Sequence, residues 1–255
     1  MKFEDFSEVK AMLVTLKHGT RSLEMGKHVN VYIPEKKATE GGFKTLYLLH
    51  GYFGDYTDWV YASNLLRYAE QYDLVIVMPD GGNSYYVNNP NGLRYHDYII
   101  NDLRIRIEET FQVSTKKEDR FIAGLSMGGY GALYLGLHHP ELYHKIASLS
   151  PVIELEKMED HFIKGERVYQ FQTLFGSDPF KESHLDLYHV VKKMKDQKLL
   201  ISCGDNDFLV EENKRFHTYL NNQNIPHTYL FKSGAHDWAY WDQEIQTVLS
   251  FLMED

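Results

Sequence analysis

Residues 121–137 constrain the fold of this chain more than any other segment. They contain the pattern Gly-x-Ser-x-Gly, with Ser126 between Gly124 and Gly128. A short apolar run precedes the pattern and a longer one follows it, which predicts a strand, a sharp turn and a buried helix. Glycine on both sides removes side chains that would collide in such a turn. Ser126 is therefore predicted to be a nucleophile raised above a sheet; an ordinary glycine-rich turn is the alternative for the pattern alone.

Strand-like and helix-like segments alternate along the rest of the chain. Strands are predicted at residues 9–18, 27–33, 45–50, 74–78, 145–150, 198–203 and 227–232. Helices are predicted at residues 57–72, 98–111, 210–222 and 238–253. This alternation predicts an α/β fold, with a mostly parallel sheet covered by helices on both faces. Residues 152–195 are charged, aromatic and only patchily helical, so we interpret them as an insertion in a single domain spanning residues 1–255.

The charge balance limits the partners that this chain can bind. Lysine and arginine total 27 against 36 acidic residues, a net charge of −9, and basic residues cluster only in short pairs. An acidic surface of this kind argues against nucleic acid and against anionic lipid. No apolar run is long enough to cross a bilayer, and residues 1–10 do not resemble a signal peptide. We therefore expect a cytoplasmic protein without a membrane partner, unless a signal peptide preceded residue 1.

A serine hydroxyl becomes a nucleophile when an imidazole takes its proton and a carboxylate orients that imidazole. His236 is the predicted base, because it follows the last strand on a glycine-containing loop; a purely structural hydrogen bond is the alternative. The acid is expected after the preceding strand, where Asp205 and Asp207 compete. Asp205 comes first in the turn and suits a turn-stabilising role. Asp207 precedes two apolar residues, Phe208 and Leu209, that can direct its carboxylate towards the site, so we assign the acid to Asp207.

Nucleophilic attack by Ser126 also requires backbone amides that stabilise a developing oxyanion. One is predicted from Met127, the residue after the nucleophile. The second is predicted from Tyr52, in the glycine-containing loop that follows the strand at residues 45–50. His-Gly at the start of that loop is a weak motif by itself, and its position relative to Ser126 is what makes it informative.

Four segments of the chain together resemble one branch of the α/β-hydrolases, the esterase D and antigen 85-like proteins, and especially the small bacterial tributyrin-type acetyl or feruloyl esterases. They are Leu49-His50-Gly51-Tyr52-Phe53-Gly54 with Trp59, Gly124-Leu125-Ser126-Met127-Gly128-Gly129, Cys203-Gly204-x-x-Asp207-Phe208-Leu209 and Gly234-x-His236-Asp237-Trp238. The resemblance implies an α/β-hydrolase fold and a serine carboxylesterase that acts on short acyl esters through an acyl-enzyme. It also implies that residues 152–195 form a small lid over the site, and that the acid stands immediately before Phe-Leu, at Asp207.

Other activities on the same framework stay open. An acyltransferase and an S-formylglutathione hydrolase-type thioesterase are the enzymatic alternatives, and a non-catalytic binding module is the third. We expect a small-molecule ester as the partner, and both a monomer and a homo-oligomer stay open. The physiological ester, whether an acetylated sugar, a hydroxycinnamate or a simple acyl ester, is not determined by these patterns.

Aromatic residues near the predicted site are candidates for binding the substrate. Tyr85 and Tyr86, with Asn88, Asn89 and His96, lie on the loop before the helix at 98–111. They are expected to line an acyl or alcohol pocket, or else to form a surface aromatic loop. Trp238, two residues after the predicted base, is also assigned to substrate binding.

No metal or other cofactor is expected. The 13 histidines lack a ligand spacing such as His-Glu-x-x-His. Asp205-Asn206-Asp207 resembles the start of a calcium loop, but the glycine and glutamate that should follow are missing. Cys203 is the single cysteine, so it has no disulfide partner within the chain, and it is expected to be a small core residue.

Overall fold

The computed structural model describes residues 11–90, 92–164, 168–177 and 180–254, and of residues 160–163 only the backbone. Eight strands form one sheet in the order β1-β2-β4-β3-β5-β6-β7-β8. Their bounds are β1 Ala11–Thr20, β2 Met25–Pro34, β3 Lys44–Leu49, β4 Leu74–Pro79, β5 Arg120–Leu125, β6 Lys145–Leu149, β7 Lys198–Gly204 and β8 Thr228–Lys232. All seven strands predicted from the apolar runs are present, as is the strand before Ser126; residues 9 and 10 of the first predicted strand lie outside the described residues.

The sheet is parallel from β4 to β8 and antiparallel only where β2 pairs with β1 and β4. Every residue of β4 and β5 is buried. Continuous apolar sequences are suited to such strands because helices cover both faces of a parallel sheet. The two edge strands are more exposed: β1 has only two buried residues, and β8 has none. The predicted, mostly parallel architecture is confirmed.

Helices cover both faces of the sheet. Their bounds are α1 Asp58–Tyr61, α2 Leu65–Ala69, α3 Tyr95–Asp97, α4 Arg104–Thr110, α5 Met127–His138, α6 Leu155–Lys164, α7 Val168–Phe175, α8 Leu187–Val190, α9 Val210–Asn222 and α10 Trp238–Met253. One hydrophobic cluster contains α5 and α9, through residues such as Leu133 and Phe216. A second cluster contains α2 and α10, through residues such as Leu65 and Ile245. Because both clusters share one sheet, we retain the prediction of a single domain.

The predicted helix at 57–72 is instead two short helices, α1 and α2. The interruption has a local cause, since the Ser63 hydroxyl donates to the Trp59 carbonyl and accepts from the Leu65 N–H. Asn64 N–H donates to the Asp242 carboxylate at 2.6 Å, which ties the break to α10. Short polar side chains compete with helical hydrogen bonds in this way.

The predicted helix at 98–111 begins earlier, at α3, and passes through a π-helical segment, Tyr98–Leu103, into α4. The insertion at 152–195 contains α6, α7, α8 and a 3₁₀ turn, Val191–Lys193. Phe171 and Leu174 of α7 are buried and belong to the same cluster as α5. Among the helices of the described residues, none combines the length and apolar character needed to cross a membrane.

Candidate active site

Ser126 occupies a strained turn between β5 and α5. Its backbone has φ 53° and ψ −117°, a conformation that residues other than glycine rarely adopt. A Cβ atom on Gly124 would lie 2.3 Å from the Gly128 carbonyl oxygen, and one on Gly128 would lie 2.5 Å from the His50 carbonyl oxygen. Glycine at these two positions therefore allows backbone to pass directly against backbone. The sharp turn predicted from the pattern is present, and the serine side chain is only partly buried.

His236 lies between Ser126 and Asp207, within hydrogen-bond distance of both. Its Nε2 atom is 2.9 Å from Ser126 Oγ, and its Nδ1 atom is 2.9 and 3.0 Å from the two Asp207 oxygens. A neutral imidazole fits this geometry when Nδ1–H donates to the carboxylate and Nε2 accepts from the hydroxyl. The ends of β5, β7 and β8 thus bring together the three residues that the sequence singled out.

The two competing aspartates occupy different environments. Asp207 is 2% exposed. Burial alone would raise the pKa of its carboxyl, but hydrogen bonds from His236 and from the Leu209 N–H outweigh burial and hold that pKa below its ordinary value. Asp205 is exposed, and its Oδ1 atom accepts from the Gly234 N–H at 3.0 Å. Asp205 therefore links the loops after β7 and β8, while the carboxylate of Asp207 faces the imidazole.

Ser150 supports the Asp207 carboxylate and was not identified from the sequence. It is fully buried at the end of β6 with φ 46°, and its side chain forms a hydrogen bond with Asp207 that contributes to the lowered pKa of that carboxyl. The Trp241 Nε1–H donates to Ser150 Oγ at 3.2 Å. No motif surrounds Ser150, so only its place at the end of a strand next to β5 could have indicated this role.

The loop after β3 passes directly beside Ser126. A Cβ atom on Gly51 would lie 3.6 Å from Ser126 Cβ and 2.7 Å from the Leu125 side chain. Phe53 has φ 69°, and its N–H donates to Asn83 Oδ1 at 2.7 Å. Met127 is the first residue of α5, where a helix leaves backbone N–H groups without an intrahelical acceptor. The loop bearing Tyr52 and the N-terminus of α5 therefore both border the serine.

His50 holds this loop in place, a role that the sequence did not reveal. Its Nδ1 atom lies 2.7 Å from the Gly51 carbonyl oxygen, and its Nε2 atom accepts from the Gly81 N–H at 2.8 Å. These partners require the neutral tautomer with hydrogen on Nδ1. Burial lowers the pKa of His50, consistent with a neutral ring. Its carbonyl oxygen accepts from the Tyr86 hydroxyl at 3.0 Å.

A cavity of about 330 Å³ opens above Ser126 and His236. Its described walls are mainly aromatic and apolar, and they comprise Gly51, Tyr52, Phe53, Asp58, Tyr85, Leu125, Val152, Met158, Phe208, Trp238 and Trp241. Val152 and Met158 come from the insertion, so this segment closes one side of the cavity. Phe53 and Phe208 are 78% and 61% exposed. These two rings lie at the mouth of the cavity, and the Phe208 ring centroid is 4.5 Å from that of His236.

The candidate substrate-binding residues are divided between two regions. Tyr85 and Trp238 line the cavity, whereas Tyr86 does not, since it is completely buried and its hydroxyl supports His50. Asn88 and Asn89 line a separate cavity of about 650 Å³ next to Phe175.

His96 lies outside both cavities, with its Nε2 atom 2.7 Å from His139 Nε2. Burial and the neighbouring His139 lower the pKa of His96 to about 4. Among the described residues, no group of three or more histidine, cysteine or acidic side chains is placed to hold a metal ion. Cys203 is buried, and burial raises the pKa of its thiol.

Comparison with known proteins gives a consistent set of relatives. A family model described as putative esterase matches residues 20–252. An acetyl esterase from Caldicellulosiruptor saccharolyticus is 31% identical over 229 residues, which cover 86% of each chain. The Staphylococcus aureus fluorophosphonate-binding serine hydrolase FphF is 31% identical with a TM-score of 0.90, covering 96% of this chain and 99% of that one. An S-formylglutathione hydrolase from S. aureus is also 31% identical, with a TM-score of 0.84 and the same coverage. The predicted α/β-hydrolase fold is thereby confirmed.

Proposed function

The chain belongs to the putative esterase family and is a carboxylic ester hydrolase, and from this premise we propose that it is a serine esterase acting through Ser126, His236 and Asp207. The resemblance predicted from the four segments is confirmed at the level of the family. The proposal that these three residues act together rests on the hydrogen bonds that join Ser126 Oγ to His236 Nε2 and His236 Nδ1 to Asp207.

In the first half of the proposed reaction, Ser126 Oγ attacks the ester carbonyl carbon while His236 Nε2 takes the hydroxyl proton. The carbonyl π electrons move to oxygen, and the backbone amides of Tyr52 and Met127 are assigned to stabilise the resulting oxyanion. When the tetrahedral intermediate collapses, the alcohol oxygen leaves with the proton from His236. Asp207 orients the imidazole and stabilises its protonated form throughout.

In the second half, water hydrolyses the acyl-enzyme. His236 Nε2 takes a proton from a water molecule as the water oxygen attacks the acyl carbon. It then gives that proton to Ser126 Oγ as the bond between the acyl carbon and Ser126 Oγ breaks. The products are a carboxylic acid and a regenerated serine. Each step uses only side chains and amides of this chain together with water.

The size of the cavity supports short acyl esters as substrates. About 330 Å³ is at the small end of ligand-binding cavities, and the insertion supplies only part of one wall. A thioesterase of the S-formylglutathione hydrolase type is the second candidate, because a solved relative of that description is 31% identical. The hydrogen-bonded serine, histidine and aspartate argue against a non-catalytic binding module.

The first test is turnover of p-nitrophenyl acetate. We expect Ser126→Ala to retain the fold and to lose on the order of 10⁴-fold or more in kcat. Ser250→Ala is the matched control, since that hydroxyl bonds Glu254 at the end of α10 and should leave kcat unchanged. Mass spectrometry after fluorophosphonate treatment should find the adduct on the Ser126 peptide. An adduct on a different residue, or substantial turnover by Ser126→Ala, contradicts the assignment.

A further inference from the structure

One carboxylate in the wall of the active-site cavity has no part in the proposed reaction. Asp58, the first residue of α1, lines the cavity together with Ser126, His236 and Trp238. Apart from His236, every other lining residue that the structure describes is apolar or uncharged. Nothing in the serine esterase mechanism requires a second carboxylate at this place, so Asp58 needs an explanation of its own.

Asp58 lines the cavity, and the histidine that interacts electrostatically with it, His50, has a neutral ring because burial lowers the pKa of His50. None of the ion pairs among the described residues includes Asp58. The hydrogen bond that its Oδ1 atom accepts from the Asp55 N–H is long, at 3.3 Å. A Cβ atom on Gly54 would lie 2.0 Å from Asp58 Oδ2, so the carboxylate packs against the loop that borders Ser126. Burial raises the pKa of Asp58, which indicates a partly desolvated carboxyl.

An unpaired charge beside so small a cavity acts on every group that enters it. A sphere of about 330 Å³ is roughly 9 Å across. With an effective dielectric constant of about 20, two charges at that separation change the affinity for a charged substrate, relative to a neutral one of the same shape, on the order of tenfold to thirtyfold. Aromatic walls increase the asymmetry, because their faces attract cations and repel anions. Trp238 packs edge-on against Trp59, the neighbour of Asp58, at 5.2 Å between ring centroids. The net charge of −9 acts in the same direction at longer range.

We propose that Asp58 determines the charge selectivity of the esterase: it rejects esters that carry a carboxylate near the scissile bond and admits neutral and cationic esters. The excluded class includes hemiesters of dicarboxylic acids. This inference rests on the proposed serine esterase function and adds to it a residue that selects substrates by charge. Asp58 contacts the substrate space directly and takes no part in proton transfer.

The test compares substrates of equal shape and different charge. On the acyl side, monoethyl succinate is compared with ethyl 4-methylvalerate, and hydrolysis of both is followed by pH-stat titration. On the leaving-group side, acetylthiocholine is compared with S-(3,3-dimethylbutyl) thioacetate. The ratio of kcat/KM within each pair cancels differences in size and in intrinsic reactivity to first order, so it reports the effect of charge.

For the wild-type enzyme we expect the succinate ester to be disfavoured, and the choline thioester favoured, by at least about tenfold against its neutral partner. Asp58→Asn keeps the shape and the acceptor for Asp55 N–H, and it should bring both ratios towards unity by about the same factor. Asp55→Asn is the matched control, because it removes an equal charge three residues away. The Asp55 carboxylate accepts hydrogen bonds from the N–H and the hydroxyl of Thr57 and does not line the cavity. The ratios of this variant should stay within about threefold of wild type.

Two kinds of failure are distinguishable. If neutral esters are not hydrolysed, or are hydrolysed by Ser126→Ala, the serine esterase proposal fails. If neutral esters are hydrolysed through Ser126 but Asp58→Asn leaves both ratios within about threefold of wild type, the charge-selectivity inference is overturned. Should Asp58→Asn melt at a much lower temperature, Asp58→Ser provides the same comparison with a smaller neutral side chain.

Discussion

Gly124 and Gly128 lie where two backbone segments are in direct contact, so a substitution at Gly128 tests the local structure. A Cβ atom on Gly128 would lie 2.5–2.8 Å from backbone atoms of β3 and its following loop, which cannot rotate away as a side chain could. We expect Gly128→Ala to lower the free energy of unfolding by on the order of 3 kcal/mol.

Gly19→Ala is the control for that substitution, because a Cβ atom there meets nothing within 4 Å. Its effect on the free energy of unfolding, measured by urea denaturation, should stay within about 0.5 kcal/mol. Equal costs for Gly128→Ala and Gly19→Ala would show that the close contact beneath the turn is not as described.

The two aspartates after β7 give a second prediction for single residues. Asp207→Asn should retain the fold and lose on the order of 10³- to 10⁴-fold in kcat, because an amide favours the wrong tautomer of His236. Asp205→Asn should mainly affect stability, since Asp205 Oδ1 accepts from the Gly234 N–H and does not contact the imidazole. Esterase kinetics and thermal melts on both variants check this, and the reverse pattern would transfer the orienting role to Asp205.

Helix α9 is connected to the start of the insertion through a buried acid. Glu212 is 5% exposed, and its Oε1 atom accepts from the Ile153 N–H at 2.7 Å. Burial raises the pKa of Glu212 to about 7, although hydrogen bonds from the backbone of residues 153 and 154 oppose that effect. The residue therefore fixes the segment that also carries Val152 into the wall of the cavity.

Glu212 makes the stability of this junction depend on pH. Because the pKa of this acid is higher in the folded state than its ordinary 4.5, the stability that it contributes is fully present below pH 4.5 and is lost as the pH rises through about 7. Relative to wild type, Glu212→Gln should become more stable between pH 5 and pH 8 by on the order of 2 kcal/mol. Glu211→Gln, an exposed neighbour, should show no such trend in urea denaturation. A constant difference between wild type and Glu212→Gln over this range would contradict the raised pKa.

The insertion sets the predicted limit on acyl chain length. Met158 of α6 is 6% exposed and lines the cavity, so the wall that it forms is already packed. We expect kcat/KM to fall by at least about a hundredfold from butyryl to palmitoyl p-nitrophenyl esters. Met158→Ala should raise the octanoyl-to-butyryl ratio, whereas Met12→Ala, on the exposed edge strand β1, should leave it unchanged. Comparable kcat/KM on acetyl and palmitoyl esters would rule out this role for the insertion.

At the scale of the whole molecule, histidines make the fold sensitive to acid. Those whose pKa is lowered are His18, His50, His96, His138, His144 and His217. Burial is the largest cause in each case. A histidine with a lowered pKa stabilises the folded state above its ordinary 6.5, and that stability is lost as the pH falls towards the lowered value, about 4 for His96 and His138.

We therefore expect the urea midpoint to be clearly lower at pH 5 than at pH 7.5. His96→Gln should reduce this dependence, because it removes an imidazole whose pKa burial lowers to about 4 in the folded state. Denaturation curves at several pH values measure both effects. An unchanged or higher midpoint at pH 5 in the wild-type protein would show that these histidines do not govern its acid stability.

The sequence alone determined the alternation of strands and helices and the turn at Ser126, because both depend on local patterns. A buried parallel strand requires a continuous apolar run, and a helix on its face requires apolar residues every three or four positions. The position of His236 and Asp207 near Ser126 was also predictable, since parallel strands bring the loops at their carboxyl ends to one edge of the sheet. Helix ends were less predictable, as α1 and α2 show, because the break at residues 62–64 combines a local hydrogen bond of Ser63 with one to Asp242, which is remote in sequence.

Only the tertiary structure decided how these residues are supported and what else faces the substrate. Three residues with these roles carry no pattern of their own: Ser150 next to Asp207, Glu212 beneath Ile153 and Asp58 in the wall of the cavity. His50 belongs to a recognisable segment, but that segment did not reveal its hydrogen bond to the loop after β4. Ser150, His50 and Glu212 act through contacts with segments far away in the chain, and Asp58 lines a cavity whose other walls come from such segments. A local pattern records which element a residue belongs to, but the partners of a side chain are set by the packing of elements against one another.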